Sequence, residues 1–367
     1  MDETNGTVII GGGVAGSAIA VELCRLGHKV TLLYRAPSEG SSFTNQKWNH
    51  SGLLYPYEPI ARKACEEFLR VSLLKQFICK TPSRARFLAL HQDTLDERER
   101  MWRNWDVRAW GLNWSLLRKD EYCAINPLGV TFAVGGFEVP DCIVDFPRLI
   151  EHLRRDVCRL GGSVLSDAEV ERVQVEDNRV IGIECLRGSE RCNIKCSICV
   201  IAAGAWSRGI LENSKISLPN LILRKCVVFE YENELVPGLT SCLDVWKHDG
   251  TKHDVTLVPF RGVTLAAGTG FTEVISGDDD QPDWLEVAHL TEQLIQCFPG
   301  LRNRKPRILT CTKTEKRPGG KPNVSPQTYG TGFHGIVGLT VAIPGKASFM
   351  FDLARQVVTE LENVCGI

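Results

Sequence analysis

The 367-residue chain lacks a charge excess, a long apolar run, internal repeats and low-complexity stretches. Lys+Arg number 43 against Asp+Glu 44, so no broad positive field is available to hold a nucleic-acid backbone, and no nucleic-acid partner is expected. No run of about 18 apolar residues occurs, which argues against a transmembrane segment. The opening also lacks the basic-then-apolar pattern of a secretory signal. Asp2 and Glu3 lead straight into Val8-Ile9-Ile10, and a cytoplasmic location is expected.

What is present is globular: 43% apolar and 24% charged residues, in a chain long enough for two joined domains. The 15 cysteines are odd in number and scattered, as reduced core thiols are. Cys192, Cys196 and Cys199 have the C-x3-C-x2-C spacing that can hold an iron–sulfur cluster. However, Cys196 to Ala202 reads as a buried strand, whose alternating side chains cannot converge three thiolates, so no metal site is expected. The acidic run from Asp278 to Asp283 lacks Ca²⁺-ligand spacing and reads as a polar loop entering a helix.

The sharpest signal lies in residues 7 to 35. A short apolar strand leads into Gly11-Gly12-Gly13-Val14-Ala15-Gly16, then an amphipathic helix to about Leu26, then a second strand His28 to Tyr34. This is G-x-G-x-x-G in the context that a dinucleotide requires. Gly11 permits the tight turn, Gly13 lets the backbone approach a pyrophosphate, and Gly16 lets helix and strand pack closely. The helix N-terminus then points free N–H groups at the anion. The acidic ribose ligand expected at the end of the second strand is missing, since the chain reads Leu33-Tyr34-Arg35-Ala36. Arg35 is therefore a candidate for the adenosine side or for a 2′-phosphate, which keeps NADP open, and a solvated loop arginine is its plain alternative.

Four further segments, in order, resemble the D-amino-acid oxidase superfamily of FAD-dependent oxidoreductases, including its glycine oxidase-like and glycerol-3-phosphate dehydrogenase-like members. They are Asn49-His50-Ser51-Gly52-Leu53-Leu54-Tyr55-Pro56-Tyr57, Val144 to Leu149 with the following Glu169 to Val173, Val200 to Ser207, and Tyr329 to Lys346 leading into a helix from about Ala347. The resemblance implies an α/β plus antiparallel-β fold, with a discontinuous Rossmann-type FAD-binding domain (1–60, 140–215 and 316–367) interleaved with an antiparallel-sheet substrate domain (61–139 and 216–315). It implies FAD contacts from Asn49, His50, Ser51, Gly52 and Leu53 along the ring, from the Val173 backbone at the adenine, and from Ala203, Gly204 and Trp206 near the phosphates. Gly345, Lys346 and Ala347 would lie at the flavin N1/O2 edge. Residues 60 to 110, rich in Arg, Glu and Trp at helical spacing, do not supply the second βα half that an NAD-dependent dehydrogenase needs. The Asp-Gly signature of a flavin monooxygenase is also absent, because Gly277-Asp278 has the reverse order.

Flavin oxidation needs the substrate carbon held over the ring and little further protein chemistry, so catalytic residues are less legible than cofactor residues. By resemblance, Arg317 in Lys316-Arg317-Pro318 is the candidate carboxylate clamp, and Tyr55, Tyr57 and Tyr231 are candidate pocket residues. His50 lies one place from where some relatives attach FAD covalently, and Asn49 fills the matching position, so noncovalent FAD is expected. His334 is a further candidate to approach the ring, with a loop histidine of no catalytic task as its plain alternative. The resemblance implies oxidation of a small amine or amino acid at C–N, with oxygen or another electron acceptor restoring the flavin. Lys346, in Pro344-Gly345-Lys346, instead resembles the Gly-Gly-Lys segment of the glycerol-3-phosphate branch and favours a hydroxy-acid or polyol-phosphate substrate. A flavin-binding protein without turnover is the alternative of another class.

Overall fold

The computed structural model describes residues 6–36, 40–123, 126–130, 132–218, 221–246, 252–316 and 325–365. At its centre is β1 (Thr7–Ile10), flanked by β2 (Val30–Leu33) and by the strand Ile198–Ile201, both parallel to it. Ser163–Leu165 extends the sheet beyond β2, while Leu339–Ile343 and then antiparallel Gln327–Tyr329 extend the other side, completing six strands. The inner strands are mostly apolar because both faces are covered. Ile9, Leu32 and Val200 pack against α1 (Val14–Arg25) and the helices Phe146–Arg159 and Met350–Cys365. Their neighbours Val8, Ile10, Leu33, Cys199 and Ile201 point the other way, onto the three-stranded sheet Ala168–Glu176, Arg179–Arg187 and Glu190–Lys195. Cys192 thus lies on a different sheet from Cys199.

A nine-stranded, mostly antiparallel sheet forms the second layer system. Its longest pairing joins Leu221–Glu232 to Arg307–Lys316, in register from Leu221 opposite Lys316 to Glu230 opposite Arg307. Residues 60 to 110 form the helices Glu58–Ser72 and Gln92–Asn104, with the strand Ala85–Ala89 between them. That strand is a five-residue buried run, too short for periodicity to separate it from a helix segment. Among the described residues no helix is long and apolar enough to cross a membrane.

The polar loop before the helix Trp284–Cys297 enters it as expected, with Asp283 accepting N–H bonds from Leu285 and Glu286 as the N-cap. The loop also spans the two sheet systems. Lys225 of the nine-stranded sheet pairs with Asp279 at 2.6 Å, and Gly277 sits so close to Ala205 that an added Cβ would lie 2.8 Å from its carbonyl oxygen.

Candidate active site

The glycine-rich turn builds one end of a long groove. Gly11 has φ +117° and faces the Ala202 backbone, where any side chain would collide. Gly16 packs onto the Gly11 carbonyl in the same way, which draws α1 against β1. Gly13 is the N-cap of α1, which has neither a side-chain cap bond at that position nor an acidic residue in its first turn. Val14 N–H donates to Ser42 Oγ at 3.2 Å. The positive helix end therefore faces open space lined by Gly11, Gly13, Val14, Ala15, Ser41 and Ser42, in a cavity of about 400 Å³.

The opposite wall of that cavity contains Ala203, Gly204 and Trp206, where Gly204 has φ +56°. Farther out lie Tyr34, Arg35, Glu169, Val170, Glu171 and Asp278. Tyr34 occupies the strand end that lacks a carboxylate. Its ring lies against Gly12, beneath the Arg154 guanidinium at 3.8 Å, and Arg154 Nε donates to the Gly12 carbonyl at 3.1 Å. Arg35 lies over the Trp206 ring at 4.7 Å and pairs with both Glu169 and Asp278 at 3.2 Å. Two carboxylates against one guanidinium make this end unsuited to a 2′-phosphate, which removes the basis of the NADP alternative. Arg154, Ser41, Ser42 and Asp278 were not legible as site residues. Only the small run Gly40-Ser41-Ser42 carried a signal, and Arg154 and Asp278 reach the groove from distant elements.

A second cavity, also about 400 Å³, adjoins the first and shares Val14, Ser41, Ser42, Gly204 and Pro344 with it. One wall is the paired strand face bearing Arg224, Cys226, Lys313 and Glu315. These side chains share a face because Arg224 stands directly opposite Lys313, and Cys226 and Glu315 are two places away on their own strands. Arg224 binds Glu315 at 2.6 Å and covers the Phe271 ring. The loop Gly345, Lys346 and Ala347 closes one end, at the start of the short 3-10 turn Ala347–Phe349. Burial, and then the like charge of Lys313, lower the Lys346 pKa to about 8.

His50 and Tyr55 complete this cavity, with the Tyr55 hydroxyl 3.1 Å from His50 Nε2. Burial first, then the charges of Lys346 and Lys313, lower the His50 pKa to about 3, so the imidazole is neutral throughout the physiological range. The loop is fixed from beneath. Asp141 accepts the Trp48 indole N–H at 2.7 Å and the Ser51 N–H and hydroxyl at 3.2 and 2.5 Å. Burial outweighs these bonds and raises the Asp141 pKa to about 6. Asn49, Ser51, Gly52 and Leu53 are buried under the loop and do not line either cavity.

The remaining expected residues lie elsewhere. Tyr57 is 51% exposed at the start of the helix Glu58–Ser72, and Tyr231 is buried in the core of the nine-stranded sheet; neither lines a cavity. Val173 donates its N–H to Ser214 Oγ at 2.8 Å, and Val170 and Glu171 form the wall there instead. His334 is bonded within its own turn, to Tyr329 O and Ile336 N–H. Arg317 lies outside the described residues.

A groove with a helix N-terminus that carries no acidic residue, glycines that leave no room for side chains, and an adjoining cavity lined by charged side chains defines a dinucleotide-dependent enzyme. The sequence profile of the FAD dependent oxidoreductase (DAO) family matches residues 7–344, and the chain belongs to that family, with FAD as its cofactor. Three solved structures share the fold. Glycine oxidase from Geobacillus kaustophilus superposes with a TM-score of 0.73 at 18% identity, covering 97% of this chain and 94% of its own. L-proline dehydrogenase from P. horikoshii gives 0.73 at 18%, covering 100% and 95%. FAD-bound L-alpha-glycerophosphate oxidase from Mycoplasma pneumoniae gives 0.76 at 16%, covering 98% and 95%. No curated protein sequence matches the chain.

Proposed function

We propose that this FAD-dependent oxidoreductase oxidises a small anionic hydroxy substrate, a hydroxy acid or polyol phosphate, at its C–OH carbon. The observation that carries this reading is the juxtaposition of a neutral His50, paired with Tyr55, and the cations Arg224, Lys313 and Lys346 around one cavity. As hydride leaves the carbon its hydroxyl becomes strongly acidic, so that even a buried, weakly basic imidazole can take the proton as the carbonyl forms. The cationic wall suits a carboxylate or phosphate, and Glu315 balances only part of its charge. Bound FAD supplies the two-electron acceptor.

The groove supports FAD in an extended pose. Gly11, Gly13, Val14, Ala15, Ser41 and Ser42 would hold the pyrophosphate, and Ala203, Gly204 and Trp206 would flank it. Gly345, Lys346, Ala347 and His50 would border the ring. The division into an FAD-binding domain (1–60, 140–215 and 316–367) and a substrate domain (61–139 and 216–315) is part of the same reading. It is supported by the six-stranded sheet, whose strands all fall in the first set, and by the nine-stranded sheet, which draws all but the end of its Arg307–Lys316 strand from the second.

Oxidation of an amine or amino acid at C–N is the second reading. It is favoured by the cationic wall, which would hold an amino-acid carboxylate equally well, although Arg317 was its expected clamp. The deciding experiment is anaerobic bleaching of the flavin by a panel of hydroxy acids, polyol phosphates, amines and amino acids. Reduction by hydroxy substrates is expected. Reduction by amino acids alone transfers the assignment to C–N oxidation, and no reduction by any class favours a flavin-binding role without turnover.

A further inference from the structure

With Tyr34 at the strand end, β2 itself offers no carboxylate to the adenosine ribose of FAD. We propose that Asp278, carried by the loop from the nine-stranded sheet, takes over this contact, so that the cofactor clasps the two sheet systems together. The inference rests on FAD occupying the groove described above.

Three carboxylates line this part of the cavity; Glu171 pairs with Arg191 at 3.6 Å, which leaves Glu169 and Asp278 together at Arg35. Glu169 accepts from a single Arg35 nitrogen. Asp278 is held far more firmly: its Oδ1 accepts from both terminal nitrogens of Arg35, at 3.2 and 3.3 Å, and from the Trp206 indole N–H at 2.7 Å. All three bonds converge on Oδ1. Oδ2 therefore keeps its acceptor capacity while its direction is fixed, which is the condition for a hydroxyl ligand that is bound without reorganisation. A charged acceptor for a ribose hydroxyl forms a strong, directional bond.

The loop is positioned from both sides. Lys225 grips the neighbouring Asp279 from the strand Leu221–Glu232, and the Ser276 hydroxyl accepts the Asp278 N–H at 3.1 Å. Gly277 lies flat on Ala205, directly beside the phosphate wall, where a larger residue would lift the loop away. Asp278 therefore comes from the nine-stranded sheet, while the turn that receives it belongs to the six-stranded one.

The test compares FAD with its 2′-deoxyadenosine and 3′-deoxyadenosine analogues, titrated into the full chain stripped of flavin and followed by flavin fluorescence. Wild type should bind FAD about tenfold or more tightly than at least one analogue, the discrimination expected when a charged acceptor loses its hydroxyl partner. Asp278→Ala should bind FAD more weakly and lose that preference, whereas Glu169→Ala should keep it. Asp278 is exposed, so the fold should survive. Asp278→Asn provides a milder check, with a preference reduced but not abolished. Lys225→Met, which frees the loop without altering the cavity wall, should also weaken FAD binding. Retention of the full preference in Asp278→Ala overturns the proposal, as does its loss in Glu169→Ala alone or equal wild-type affinity for all three flavins.

Discussion

The Tyr55 hydroxyl lies 3.1 Å from His50 Nε2, and the two rings meet edge to face with centroids 5.2 Å apart. This contact holds the imidazole against the cationic wall. If the pair accepts the substrate proton, His50→Gln should slow anaerobic flavin reduction by about 10²- to 10⁴-fold, and Tyr55→Phe should slow it less. Stopped-flow absorbance reads both rates.

The His50 shift also appears in stability. Its folded pKa, about 3, lies below the unfolded value near 6.5, so the unfolded chain binds the proton first as pH falls. Wild type should therefore lose stability relative to His50→Gln below about pH 6.5, at a slope approaching 1.4 kcal/mol per pH unit. Urea denaturation of both proteins between pH 4 and 8 measures the difference. A constant gap would mean that the imidazole has the same pKa in the folded and unfolded chain.

Asp141 has the opposite sign. Its pKa is raised to about 6, so the folded state holds the proton more tightly and the cost of burying the charge is relieved as pH falls through 6 towards the unfolded value near 4. Asp141→Asn removes this pH dependence. It also places an amide where three donors from Trp48 and Ser51 converge, with an expected cost of about 1–3 kcal/mol at neutral pH. The variant's thermal midpoint at pH 5 and pH 7.5 tests both effects.

Lys346, with its pKa lowered to about 8, should lose its charge within an accessible range. Apparent affinity for an anionic substrate should then weaken as pH rises through about 8. Lys346→Met should bind that substrate weakly at every pH, with this inflection gone. KM profiles from pH 6.5 to 9.5 provide the measurement.

Gly13→Leu should yield folded but colourless protein. The added side chain would project from the α1 N-cap towards Ser42 Oγ, which lies 3.1 Å from where its Cβ would be, and into the pyrophosphate space. Full flavin occupancy in this variant would remove the assignment of that space. In wild type the flavin should leave on acid denaturation, and mass spectrometry of the His50 peptide should show no adduct.

The cofactor half was legible because its chemistry is local. Gly11, Gly13 and Gly16 lie within six residues, between a strand and a helix, so the whole motif can be read in one short segment. The cationic wall was not legible, because Arg224 and Lys313 become neighbours only through the strand register. Periodicity assigns such residues to a face but cannot name the partner strand. Tyr57 and Tyr231 show the converse: they lie in segments that border the cavity, yet helix entry turns one to solvent and strand alternation turns the other into the core. Arg35 was legible as a candidate, but its two carboxylate partners come from residues 169 and 278.

The strand order also dictates when a nascent chain can become an enzyme. β1 emerges first, yet its second neighbour, Ile198–Ile201, arrives far later, and the partner of that strand, Leu339–Ile343, comes later still. Until then the ribosome presents a glycine turn without its opposite wall and an apolar strand edge without cover, which are conditions that invite misassociation. Flavin capture is therefore a late event in biogenesis, and a message truncated before residue 339 should produce colourless, aggregation-prone fragments rather than a smaller working protein.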